Sequence, residues 1–200
     1  MTDRFRPTVA AFGQEVQAPT RALIERYVGL LLTWNARVNL TGARSPDELL
    51  GEHVPDAGAI ARVIPPGVRV VDVGSGGGLP ALPLALLRPD LSILLVEPRA
   101  KRVAFLRTAI RELGLASIEV APTRFEQLPP ALPPFDVATS RATLPPPEWL
   151  AAAPSLVRGG GSIVVLAARP VAFPSLPLTV ECQYSTATGA PRWLGLFRST

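Results

Sequence analysis

The sequence predicts an α/β fold: a mainly parallel sheet with helices on both faces and an antiparallel hairpin at its C-terminal edge. Three observations predict it. Short, continuously apolar runs such as "RVVDV" (69–73) and "LSILLVE" (91–97) alternate with segments of helical period. Apolar residues fill both faces of these runs, as buried parallel strands require. A glycine cluster, Gly74 and Gly76 to Gly78, joins the first run directly to a helical stretch, the junction expected of a strand–helix unit.

The elements follow in chain order. Residues 1–19 show no period and are expected to form a loose arm. From Thr20, a fair N-cap, Leu23, Ile24, Tyr27, Leu30, Leu31 and Trp34 recur on one helical face. Residues 46–63 read as a second helical segment that Pro55 interrupts. "RVVDV" is the first strand. Residues 79–87 form the next helix, with Pro80 and Pro83 in its first turn, where backbone N–H groups lack internal partners. Residues 91–97 are the second strand. Residues 101–113 are a long helix with Val103, Leu106, Ile110 and Leu113 inward, stopped by Gly114. "SIEVA" (117–121), "FDVATS" (135–140) and "SIVVLA" (162–167) are strands three to five. Residues 148–157 read as a helix ended by the glycines at 159–161, and residues 178–183 and 193–198 pair as the edge hairpin. Residues 1–64 are expected to form a helical cap on a domain spanning 65–200.

A chain of 200 residues with 48% hydrophobic residues suits one globular unit. Its 23 prolines cluster at 129–130, 133–134 and 145–147, which read as loops. The net charge of +4 permits an anionic partner such as RNA without demanding one. The single cysteine, Cys182, excludes an internal disulfide and a cysteine metal cage. The single histidine, His53, excludes any mechanism needing two, and nothing points to a metal. No apolar stretch of about 18 residues is present, and "MTDRFRPTVAAFGQEV" has no long apolar core. A cytoplasmic protein without membrane contact is expected.

A glycine-rich turn lets a ligand approach the backbone, and the following helix start exposes N–H donors. A P-loop requires Lys-Ser/Thr next, but Leu79-Pro80-Ala81 follows. The dinucleotide fingerprint requires a glycine where Leu79 stands. Asp72-x-Gly74-x-Gly76-x-Gly78 instead resembles motif I of class I S-adenosylmethionine-dependent methyltransferases. The methionyl end of that cofactor is a zwitterion, so the turn, Ser75 included, binds it without a lysine, and Asp72 faces its cationic groups. Glu97 ends the next strand, where an acid accepts both ribose hydroxyls. Phe125 and Glu126 follow strand three, at the expected adenine position.

The segment after strand four, "TSRATLPPP", lacks the Asn/Asp-Pro-Pro-Tyr/Phe that serves exocyclic amines. Cys182 stands too far along the chain to attack a pyrimidine. Guanine N7 carries a free lone pair and needs no deprotonation, so placement and electrostatics suffice for its methylation.

"YVGLLLTWNARVNLTG" (27–42), "HVPDA" (53–57), "DVGSGGGLPALPLALLRPD" (72–90), "KRVAFLRTAIRELGL" (101–115) and "SRA" (140–142) together resemble the ribosomal RNA small-subunit methyltransferase G family, also called glucose-inhibited division protein B. The resemblance covers about residues 20–167 and implies a Rossmann-like class I methyltransferase. It implies transfer of a methyl group from S-adenosylmethionine to N7 of a guanine in bacterial 16S rRNA, met as the rRNA or as the 30S subunit; a monomer is expected. By position, Gly74, Leu79, Phe125, Glu126 and Arg141 would contact the cofactor, with Arg141 also acting on the guanine. Asn39, Thr41, His53, Asp56, Lys101, Arg102 and Arg192 would lie on the substrate side. The family's serine after His-x-x-Asp is Ala57 here, and Ala167-Ala168-Arg169 stands where the family often has lysine and glycine. Two other readings fit the same residues: an enzyme of this fold with another acceptor, and a non-catalytic RNA-binding module. Arg99, Arg102, Arg107 and Arg111 form either a solvated helix face or a phosphate-contacting stripe.

Overall fold

A computed structural model describes residues 3–200. Among these residues one sheet contains β1 (Arg69–Val73), β2 (Ser92–Val96), β3 (Ile118–Ala121), β4 (Phe135–Ser140), β5 (Val157–Ala167), β6 (Leu178–Ser185) and β7 (Pro191–Arg198). The order is β3-β2-β1-β4-β5-β7-β6. Strands β1 to β5 run parallel, and β7 lies antiparallel between β5 and β6. The expected mainly parallel sheet and its C-terminal hairpin are both present.

Helices α1 (Arg6–Phe12), α2 (Ala18–Val38), α3 (Pro46–Glu48) and α4 (Val54–Val63) precede the sheet. Helices α5 (Ala81–Leu87), α6 (Ala100–Leu113) and α7 (Pro146–Ala152) connect its strands. The period-two alternation of strand side chains divides the interior into two cores. Val70, Val137, Val164 and Leu194 point into one core with Ile24, Tyr27, Leu31, Leu82 and Phe105. Their chain neighbours Val71, Ala138, Ile163 and Trp193 point into the other, with Trp149 and Phe197. Gly114 closes α6 as expected, its N–H bonded to the carbonyls of Ile110 and Arg111.

Three expectations need correction. Residues 1 and 2 of the expected loose arm lie outside the described residues, but residues 3–19 are not one: α1 packs across α4, with Phe5, Phe12 and Val16 buried. Seven residues are too few to display a helical period, which is why the sequence hid this element. Helix α2 starts at Ala18 without a side-chain cap, so Thr20 lies inside it and Pro19 occupies the first turn. The glycines at 159–161 do not stop a helix. After α7 a tight 3₁₀ turn, Ala153–Leu156, leads straight into β5, and the glycines lie within that strand. There Phe135 pairs with Val157 while Val137 pairs with Ser162, a bulge that the small residues accommodate.

The strand order reverses between β1 and β4. Clefts in open α/β sheets form outside the C-terminal strand ends at such a switch point. The ends here are Val73 and Ser140, which places the glycine turn and the segment 140–143 side by side. Among the described residues no helix is long and apolar enough to cross a membrane.

Candidate functional site

The glycine turn is held from several directions. The N–H groups of Gly74 and Ser75 both donate to the Val96 carbonyl, at 2.9 and 3.2 Å. Glu97, just past β2, accepts from Gly76 N–H at 3.0 Å and from Arg99 N–H at 2.9 Å. Arg102 lies 3.7 Å from the same carboxylate. From α2, the Tyr27 hydroxyl donates to the Gly77 carbonyl at 2.6 Å. A Cβ on Gly77 would lie 2.9 Å from Leu31 Cδ1 and 3.1 Å from the Leu40 carbonyl, so only glycine lets the helix and the following loop close on the turn. That loop is shaped by Asn35, whose Oδ1 accepts from Leu40 and Thr41 N–H at 2.6 and 2.9 Å.

Opposite the turn stands the segment after β4. The hydroxyls of Ser140 and Thr143 both donate to the Val73 carbonyl, at 3.0 and 3.1 Å. Between them Ala142 takes a left-handed backbone, φ 58°. This double tether presents Arg141 toward α4, where its Nη1 donates to His53 Nδ1 at 3.0 Å and to Asp56 Oδ2 at 3.1 Å. Arginine has no acceptor, so Nδ1 is the accepting nitrogen and neutral His53 carries its proton on Nε2. Burial, then the Arg141 charge, hold the His53 pKa below its ordinary value, against the opposing pull of Asp56 and Glu48. Asp56 Oδ1 accepts from the Tyr184 hydroxyl at 2.8 Å. Burial, reinforced by Asp56, keeps the Tyr184 phenol well above its usual range, which fixes it as the donor.

These groups line three adjoining cavities. One, about 510 Å³, is bounded by Leu40, Gly74 to Gly77, Leu79, Glu97, Arg102, Arg124 and Arg141. A second, about 230 Å³, shares Gly74, Arg124 and Thr143 and adds Phe125 and Glu126. The third, about 400 Å³, is lined by His53, Asp56, Arg141, Trp149 and Arg192. Arg141 and Ala142 are common to the first and third, so they form the wall between them.

The structure thus brings together Gly74, Ser75, Gly76, Leu79, Glu97, Arg102 and Arg141 around one cavity and His53, Asp56, Arg141 and Arg192 around the next. Gly78 lies behind the turn, against Leu82. Lys101 and Asn39 line none of the three, and the Asn39 carbonyl accepts from Arg102 at 3.4 Å. Arg124, Thr143, Trp149 and Tyr184 were not singled out by the sequence; Ser140 and Leu40 stood within the quoted motifs without a role, and Thr143 follows Ser-Arg-Ala directly.

Asp72 is buried beneath the turn, and its Oδ2 has no hydrogen-bond partner among the described residues. Burial pushes its pKa up to about 7; Ser75 and Arg141 oppose this and Glu97 adds to it. A lone buried carboxylate beneath a turn of backbone donors, with a second carboxylate at the next strand end, suits a ligand bearing both a cationic group and hydroxyls.

A family described as rRNA small subunit methyltransferase G matches residues 20–183. Ribosomal RNA small subunit methyltransferase G of Myxococcus xanthus is 35% identical over 170 residues, covering 84% of this chain and 78% of that protein. Its counterpart from Anaeromyxobacter dehalogenans is 38% identical over 165 residues, covering 82% of this chain and 76% of that one. The solved structure of a SAM dependent methyltransferase from Aquifex aeolicus superposes with a TM-score of 0.57 at 15% identity, covering 76% of this chain and 93% of that one. This last likeness concerns the fold alone.

Proposed function

This chain belongs to the family of rRNA small subunit methyltransferase G, and from that premise we propose that it methylates N7 of a guanine in bacterial 16S rRNA. It is an S-adenosylmethionine-dependent methyltransferase, and that cofactor, when bound, supplies an electrophilic methyl group. Asp72, Gly74, Ser75, Gly76 and Leu79 hold the methionyl end, and Gly78 packs the back of the turn against Leu82. Glu97 takes the ribose hydroxyls, and Phe125 and Glu126 take the adenine. Residues 1–64, as a helical cap over a methyltransferase domain of residues 65–200, lend Leu40, His53 and Asp56 to the clefts.

Guanine N7 is already a nucleophile, so the site needs no general base. Arg141, always protonated and a donor only, could not be one. It orients the flipped base by hydrogen bonding, and it excludes water as a fixed wall. Arg102, Lys101, Arg192 and Asn39 meet the RNA around that base, with the arginines and lysine neutralising phosphates. The substrate is the rRNA within the 30S particle, met in the cytoplasm by a single copy of the chain.

One observation carries this reading: Arg141 belongs both to the cavity of the glycine turn and to the neighbouring cavity, with its guanidinium fixed by His53 and Asp56. The test is incubation with labelled S-adenosylmethionine and undermethylated 30S particles. Labelled 7-methylguanosine in the digested 16S rRNA is expected. Label found only on protein or small molecules contradicts the proposed acceptor.

A further inference from the structure

The C-terminal hairpin reaches into the site. Tyr184 stands on β6, at the far edge of the sheet, and its buried hydroxyl donates to Asp56 Oδ1 at 2.8 Å. The other oxygen of Asp56 accepts from Arg141 Nη1 at 3.1 Å, and the same nitrogen donates to His53 Nδ1 at 3.0 Å. Asp56 is itself on the fully buried first turns of α4. Four side chains from α4, the turn before it, the β4 loop and β6 therefore form one chain of hydrogen bonds. Each link has a fixed direction, because tyrosine donates to a carboxylate and arginine only donates.

We propose that Tyr184 is a positioning residue for Arg141, acting through Asp56. A carboxylate bonded at one oxygen alone can rotate about its terminal torsion, which is broad. The Tyr184 hydroxyl pins the second oxygen and so fixes where the first one holds the guanidinium. Beyond Asp56, the Arg141 guanidinium has one direct support, His53, and the tethers of Ser140 and Thr143 to Val73 hold only its backbone. Tyr184 touches none of the cavity that Arg141 walls off, so its effect on the reaction passes through the carboxylate. The consequence for methyl transfer rests on the proposed function; the hydrogen-bond relay itself does not.

The test uses Tyr184→Phe, which keeps the buried ring and deletes only the hydroxyl. His53 is the sole histidine of the chain, so its ring nitrogens give one resolvable set of signals in long-range ¹H–¹⁵N spectra. In the wild type the relay requires Nδ1 unprotonated and Nε2 protonated. In Tyr184→Phe the second tautomer should appear, and kcat for 16S rRNA methylation should fall by about tenfold, with the KM for S-adenosylmethionine within about twofold of wild type. A wild-type His53 protonated on Nδ1 overturns the relay without any variant. An unchanged His53 spectrum in Tyr184→Phe overturns it too, whatever happens to kcat; a changed spectrum with kcat intact leaves the relay standing and overturns the positioning role of Tyr184 in methyl transfer. If wild-type protein methylates no rRNA, the proposed function fails, while the two spectra still decide the relay.

Discussion

Tyr27, on α2, donates its hydroxyl to the carbonyl of Gly77, 2.6 Å away, and both residues are buried. The bond ties a helix that precedes the sheet to the turn that follows β1. Tyr27→Phe strands that buried carbonyl, which costs about 1–2 kcal/mol. Chemical denaturation should show a loss of this size. Calorimetry with S-adenosylmethionine should show a several-fold weaker Kd, because the turn loses its support.

Gly74 has φ 72°, and a Cβ there would lie 2.1 Å from Thr143 Oγ1. Gly74→Ala must strain the backbone and push Thr143 off the Val73 carbonyl. Cofactor affinity should fall by about tenfold or more. Adding Thr143→Ala removes the closest clashing atoms and should recover part of the thermal stability. It should not recover the affinity, since the alanine keeps the disfavoured φ.

Asp72 has a folded pKa of about 7 against an ordinary value of 3.8. The folded state therefore holds a proton that the unfolded chain releases, and stability falls as pH rises between those two values. Asp72→Asn removes this penalty. The variant should melt above the wild type, by a margin that grows from pH 5 to pH 8 and corresponds to a few kcal/mol at most. It should also bind S-adenosylmethionine more weakly. A melting difference that shrinks with rising pH contradicts this account of Asp72.

His53 titrates below its ordinary value because burial and Arg141 disfavour its cationic form. The unfolded chain thus takes up the proton first, and the His53 contribution to stability is present above about pH 6.5 and lost as pH falls below it. Arg141→Ala removes the repelling charge and leaves Asp56 unpaired beside the ring. Both changes raise the His53 pKa, and NMR titration of this one histidine should show it.

The sheet was legible because its strands are apolar on both faces and alternate with periodic helices. The glycine turn was legible because Leu79 excluded two of the three ligand classes that use such turns, and Glu97 supplied the second acid at the right distance. The segment that proved to hold α1 was not, because one short helix and its cap residue bury Phe12 and Phe5 without a repeating pattern. The glycines of β5 misled because a bulge and a helix stop use the same residue type. Tyr184 was invisible for a different reason: its partner Asp56 lies 128 positions away, and only the hairpin's placement beside α4 brings them into contact. Arg141 and His53 could be nominated from motifs, but the hydrogen bond between them is a property of the folded chain.

The most direct measurement is mass-spectrometric mapping of modified guanines in 16S rRNA from cells lacking this gene, complemented with the wild-type chain or with Arg141→Ala. One 7-methylguanosine should be absent from the deletion strain, return with the wild-type chain and stay absent with Arg141→Ala present at equal protein level. Full methylation of every such guanine in the deletion strain, or full restoration by Arg141→Ala, would contradict a guanine-N7 methyltransferase built around the wall that Arg141 forms between the two cavities.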